Sequence, residues 1–273
     1  MKKIIVPIDF SEQSEFALEA AAQLADKHGA EIFALHMLEL SDTLTNTDDA
    51  VQQQQAVLFL KAAEKRFHSF LDKPYLNGIK LTPIVKHFKV FDEINEVAQK
   101  HKVDLVVMGS HGTNGLNEIF YGSNAEKVVR NSEIPVLVIK SRIQHLKIEN
   151  LVFACDFEEE SLSAFSRARD FADSLSAKLD LVYINTPGNN FLSTRDAYER
   201  ITQFLAKANV GLEVQIYSDY SVEKGILNYS AENSADAIAI STHGRKGLSH
   251  FFMGSIGEDV ANHSKLPVVT FKM

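Results

Sequence analysis

The chain repeats itself, and that duplication limits what it can fold into more than any other feature. Residues 109–140 align with 241–272 without a gap, at an offset of 132, and thirteen of those 32 positions are identical. They include His111, Gly112, Gly115, Gly122, Ser123, Pro135 and Lys140 with their partners. A second block recurs at an offset of 147, where Asp9, Phe10, Glu12, Ser14, Ala17 and Ala21 reappear as Asp156, Phe157, Glu159, Ser161, Ala164 and Ala168. The two offsets differ by 15 residues, so the second copy is shorter in its middle. A repeat of this length is a whole domain rather than a solenoid unit. The reading is therefore two like domains, residues 1–142 and 148–273, joined by the segment Ser141–Ile148.

Each copy alternates short apolar runs with amphipathic stretches. In the first, Lys3–Ile8 has strand character, and Ser11–His28 carries apolar residues at helical spacing before Gly29. A strand over Glu31–Leu38, a helix over Ala50–Leu71, a strand over Ile79–Phe88, a helix over Phe91–His101 and a buried strand over Asp104–Met108 follow. A glycine-containing loop, a helix from Ser123 and the strand Val136–Lys140 close the copy, and the second copy repeats the order. Short, fully apolar strands alternating with helices predict α/β domains, each a doubly wound five-stranded parallel sheet of Rossmann type. The last strands, 135–139 and 267–271, would each leave an apolar β-rich edge, and pairing one with the other removes it. That predicts an internal pseudo-dimer, with pairing between separate chains as the other use of such an edge.

Composition narrows the function. The net charge of −8 comprises −4 over residues 1–140, +1 over 141–149 and −5 over 150–273, so neither half offers the basic face that nucleic acid requires. No apolar run approaches the ~20 residues of a membrane span. Met1-Lys2-Lys3 runs straight into a strand-like segment, unlike a secretory signal, and the expectation is a cytoplasmic chain. A single cysteine, Cys155, excludes an intrachain disulfide and reads as a small buried residue. The histidines show no HExxH spacing, and no metal site is expected.

Ligands of such sheets bind beyond the carboxyl ends of the strands, where strand order reverses. Two segments fall there: Pro7-Ile8-Asp9 after the first strand, and the loop opened by Met108-Gly109-Ser110-His111-Gly112, which runs to Gly122-Ser123-Asn124 at a helix start. Glycines let the backbone approach a ligand closely, and a helix N-terminus presents free N–H groups to an anion, so the pattern suits phosphate. Other readings stand beside this one. Asp9 and Asp156 are also placed to cap the following helices, His111 and His243 to pack loops, and Arg245-Lys246 to form a solvated tip. The P-loop series G-x4-G-K-[S/T] is absent, so fast ATP hydrolysis is not expected and no catalytic residue is assigned.

At this point the chain resembles the universal stress protein family, over both halves. ATP-binding members of that family carry G-x2-G-x9-G-[S/T], which Gly109, Gly112, Gly122 and Ser123 match in full. Val6-Pro7-Ile8-Asp9-Phe10-Ser11 is similar to the family's first-strand signature, and Leu35-His36-Met37 to its second-strand end. The resemblance implies ATP, with or without Mg, as a regulatory or structural ligand in a stress response. Asp9 and Met37 would meet the base, Gly109 the ribose side, and Gly112, Gly122, Ser123 and Asn124 the phosphates, with Pro7, Ile8 and Met108 lining the site. The second copy departs from the pattern: Ser241 replaces Gly109 and Ala154-Cys155 replaces Pro7-Ile8. Asp156, Ser241, Gly244, Gly254 and Ser255 therefore form a weaker second candidate. The other reading is a nucleotide-free interaction module that keeps the loop as a relic and acts through protein partners. An ATP-pyrophosphatase-type ligase is disfavoured, because its SGGxDS-like loop is missing after the first strand.

Overall fold

The computed structural model describes residues 1–38, 50–87, 90–110, 125, 127–129, 132–188, 191–242, 260 and 262–273. Its strands are β1 (Lys3–Ile8), β2 (Glu31–Leu38), β3 (Leu81–His87), β4 (Leu105–Gly109) and β5 (Val136–Ile139), then β6 (Asn150–Ala154), β7 (Lys178–Asn185), β8 (Val214–Ser218), β9 (Ala237–Thr242) and β10 (Val268–Lys272). The helices are α1 (Glu12–His28), α2 (Ala50–Leu71), α3 (Val90–His101), α4 (Leu162–Leu175), α5 (Thr194–Ala208) and α6 (Val222–Glu232).

Local chemistry explains α1. Ser11, in extended conformation, accepts from the Ser14 backbone N–H, and Gly29 in the left-handed region closes the last turn. Glu12 and Glu15 in the first turn and Lys27 and His28 in the last complement the helix dipole. Its face of Ala17, Leu18, Ala21, Leu24 and Ala25 is buried on the sheet.

All ten strands lie in one sheet, ordered β3-β2-β1-β4-β5-β10-β9-β6-β7-β8. Within each half the strands are parallel, and the order reverses between β1 and β4 and again between β6 and β9. The halves meet at β5 and β10, which pair antiparallel with Val269 opposite Leu137. This is the internal pairing of last strands expected from their sequence, and it removes both edges. Because successive strand residues point to opposite faces, Ile4, Val6 and Ile8 join one apolar core and Ile5 the other. The first core packs under α1, α4 and α5 with Phe67 of α2, the second under α3 and α6 with Ala125, Val128 and Val129, and each contains residues of both halves.

Polar contacts cross the same junction. Lys140 donates to the Asn262 carbonyl, Lys272 to Glu133 at 2.5 Å, and Thr242 to the Val129 carbonyl at 3.4 Å. The connecting segment is tied to α1: Gln23 bonds the Ile143 carbonyl and the Leu146 N–H, and Arg142 pairs with Glu19 at 2.8 Å.

Candidate functional site

The crevice begins with a proline. β1 pairs with β2 along its whole length, from Lys3 opposite Glu31 to Ile8 opposite His36. Against β4 it pairs only at Ile4 and Ile5, opposite Leu105 and Val106. Beyond Ile5 the strands part, and Pro7, which has no N–H to contribute to a ladder, lies in the parted stretch. The second copy is zipped further: β6 pairs with β9 from Leu151 to Ala154, opposite Ala237 to Ile240. Ala154, at the position matching Pro7, is the last paired residue there. The substitution of Pro7 by Ala154 thus accompanies a crevice that opens two residues later.

Past the strand end, Asp9 is exposed. Its Oδ1 accepts from the Ser11 N–H at 3.0 Å and from the Ser11 hydroxyl at 2.5 Å, and that hydroxyl in turn accepts from Ser14. The cap of α1 is therefore Ser11, with Asp9 holding it, rather than Asp9 itself. Asp156 behaves differently. It is buried, and its Oδ1 accepts from the Ser161 hydroxyl at 2.6 Å and the Glu158 N–H at 3.0 Å. A carboxylate turned inward and bonded in this way is withdrawn from any ligand at the surface.

Gly109 ends β4, paired with Ile139, and is part of the strand rather than the first loop residue. Its φ is not positive; the demand for glycine comes from packing. A Cβ there would stand 2.7 Å from both the carbonyl carbon and the oxygen of Gln13 in the first turn of α1. Ser241 likewise lies within β9, and it carries the Cβ that Gly109 lacks. The segment matching the start of α1 is here a 3-10 turn, Glu159–Ser161, and α4 starts only at Leu162. The Ser241 hydroxyl is buried and has no hydrogen-bond partner among the described residues. The backbone strain that a positive φ would impose at Ser241 does not arise.

The sheet brings the described candidates to the ends of three neighbouring strands: Met37 on β2, Pro7, Ile8 and Asp9 on and after β1, and Met108 and Gly109 on β4. Met37 and Met108 share the face of the second core. Gly112, Gly122, Ser123 and Asn124 lie outside the described residues, as do Gly244, Gly254 and Ser255 of the second candidate.

Sequence reasoning noted Phe10 and Phe157 as repeated identities and gave them no role. Both adopt positive φ, 65° and 56°, which costs a bulky residue ~1–2 kcal/mol. The turn swings the Phe10 ring inward, 4.3 Å from His36 and 5.6 Å from Phe70, while Asp9 stays outside. His36 donates from Nδ1 to the Ile8 carbonyl at 2.8 Å, and burial holds its imidazole below the ordinary value. Tyr183 stands at the matching place in the second half, 6.4 Å from Phe157. Cys155 is buried, and burial pushes its thiol well above the usual range. Among the described residues no cluster of His, Cys, Asp and Glu is placed to hold a metal.

Two doubly wound α/β modules, joined through their last strands and parted at a β1/β4 switch point, define a tandem protein of the Rossmann-like class. Known proteins narrow that class. The family model for the universal stress protein family matches residues 1–140 and again 147–272. A universal stress protein of Methanocaldococcus jannaschii is 31% identical over 139 residues, covering 51% of this chain and 82% of that protein. One from Synechocystis sp. is 23% identical over 306 aligned positions and matches the whole of both chains. Among solved structures, a universal stress protein from Archaeoglobus fulgidus superposes with a TM-score of 0.64 at 23% identity, covering 99% of this chain and 96% of that one. The chain belongs to the universal stress protein family, as a tandem member. No described helix is long and apolar enough to cross a membrane.

Proposed function

We propose that the chain binds ATP in its first domain, at one site, as a regulatory or structural ligand in a stress response. The observation that carries this reading is the parted end of β1 and β4. There an exposed Asp9 follows β1, and β4 ends at Gly109, from which the complete G-x2-G-x9-G-S series departs. A strand-end crevice leading into a glycine loop and a helix start suits a phosphate-bearing ligand. The base would lie by Asp9 and Met37, and Gly112, Gly122, Ser123 and Asn124 would receive the phosphates. With no P-loop lysine to offset γ-phosphate charge, turnover would be slow and incidental. Mg would be held by the phosphates rather than by a protein cage.

The second domain is the poorer site. Its ladder closes two residues further along, its aspartate is buried and bonded, and Ser241 occupies the glycine position. Calorimetric titration with ATP tests the reading: one site per chain is expected, lost in Gly122→Val. Two equal, tight sites, or binding that survives Gly122→Val, would overturn it. Gly109 is the wrong position for this test, because its substitution disturbs the packing of α1.

A further inference from the structure

Arg66 lies on α2, immediately before the buried Phe67, and its guanidinium carbon stands 4.3 Å from the centre of the Phe10 ring. Phe10 in turn packs on His36 at the end of β2. This places Arg66 over the ends of β1 and β2, whereas the glycine loop leaves β4, on the other side of β1. A nucleotide with its phosphates on that loop, lying across β1, would bring its base to the Arg66 side. The guanidinium is exposed, and among the described residues it donates no hydrogen bond and meets no carboxylate.

The second half has an arginine in a related place that is already engaged. Arg200 of α5 stands near Tyr183, the counterpart of His36, yet its Nη1 is 3.4 Å from Glu158 Oε1. Glu158 directly follows Phe157, where the first half has Ser11 after Phe10. Arg200 is paired with a carboxylate of its own domain, and Arg66 has no such partner among the described residues. Arg66 stands in the half whose crevice opens two residues earlier.

We propose that the Arg66 guanidinium, backed by the Phe10 ring, stacks on the base of the bound purine nucleotide and is a specificity-determining residue of the site. The proposal rests on the nucleotide-binding reading above. A guanidinium is planar and weakly hydrated, so one face can lie on an aromatic ring while the other receives a base. Lysine supplies the same charge without the plane.

Titrations of the full chain, Arg66→Ala and Arg66→Lys with ATP and with inorganic tripolyphosphate test this. Arg66→Ala should weaken ATP binding about tenfold, in the range measured for loss of one base-stacking partner. Arg66→Lys should lose as much, and any affinity for tripolyphosphate should be unchanged in both. Because the side chain is exposed, the unfolding midpoint should stay in place. Recovery of ATP affinity by Arg66→Lys would overturn stacking in favour of charge. Equal ATP affinity in all three chains would overturn the role of Arg66 and leave the nucleotide reading intact. A wild-type chain that binds no ATP would overturn both.

Discussion

Gly109 is a glycine that packing alone already demands. The motif spacing marks the position, but spacing alone does not say what the absent side chain would strike. The structure answers with Gln13, whose backbone would lie 2.7 Å from an added Cβ. Neither partner is a flexible side-chain tip, so α1 must shift. Gly109→Ala should therefore destabilise the fold by ~1–3 kcal/mol, the usual cost of forcing an atom into a packed contact. Denaturant unfolding measures this, and an unchanged midpoint would show that the helix moves aside freely. The inward turn of Asp156 was similarly beyond sequence reading. Asp9 and Asp156 align, yet Asp9 bonds Ser11 and stays exposed while Asp156 bonds Ser161 and is buried.

At the scale of elements, periodicity was a good guide wherever a helix face or buried strand repeats. The α1 and β1 segments were legible because their apolar spacing and caps agree. The ends of β4 and β9 were less so. Sequence reading broke them at Gly109 and Ser241, where glycine and serine suggest a loop, yet pairing with β5 and β10 carries both residues into the sheet. The β1–β2 pair makes a further claim. Burial chiefly holds His36 below its ordinary value of 6.5, and the nearby Arg66 charge works in the same direction. The Ile8 carbonyl and Asp9 work against them. The unfolded chain thus takes up a proton that the folded one resists. The neutral imidazole's contribution is complete above the unfolded value and is lost as pH falls through it. Between about pH 7.5 and 5.5 the wild type should lose more stability than His36→Tyr, which carries the residue found at the matching place in the second half. Equal losses by chemical denaturation would contradict this assignment.

The whole molecule is organised by the pairing of β5 with β10. Each half would otherwise end in a largely buried, mostly apolar strand with one open edge. The duplication made the two domains visible from sequence, and the apolar last strands pointed to their union. Contacts such as Lys140 with Asn262 and Arg142 with Glu19 depend on side-chain placement that no spacing rule reaches. Residues 1–142 expressed alone should form a homodimer or aggregate through the freed β5 edge. Light scattering on the purified fragment decides this, and a well-behaved monomer would count against the edge as the organising contact.

The central claim is that one of two related crevices holds nucleotide, because only one parts two residues early, is lined by an exposed aspartate and is continued by a complete glycine series. A structure of the full chain crystallised with a non-hydrolysable ATP analogue tests it most directly. The account predicts nucleotide density at the ends of β1, β2 and β4, with the triphosphate on the loop that follows Gly109 and the matching ends of β6, β7 and β9 empty. Density at β6 and β9 instead, or at both crevices alike, would contradict it.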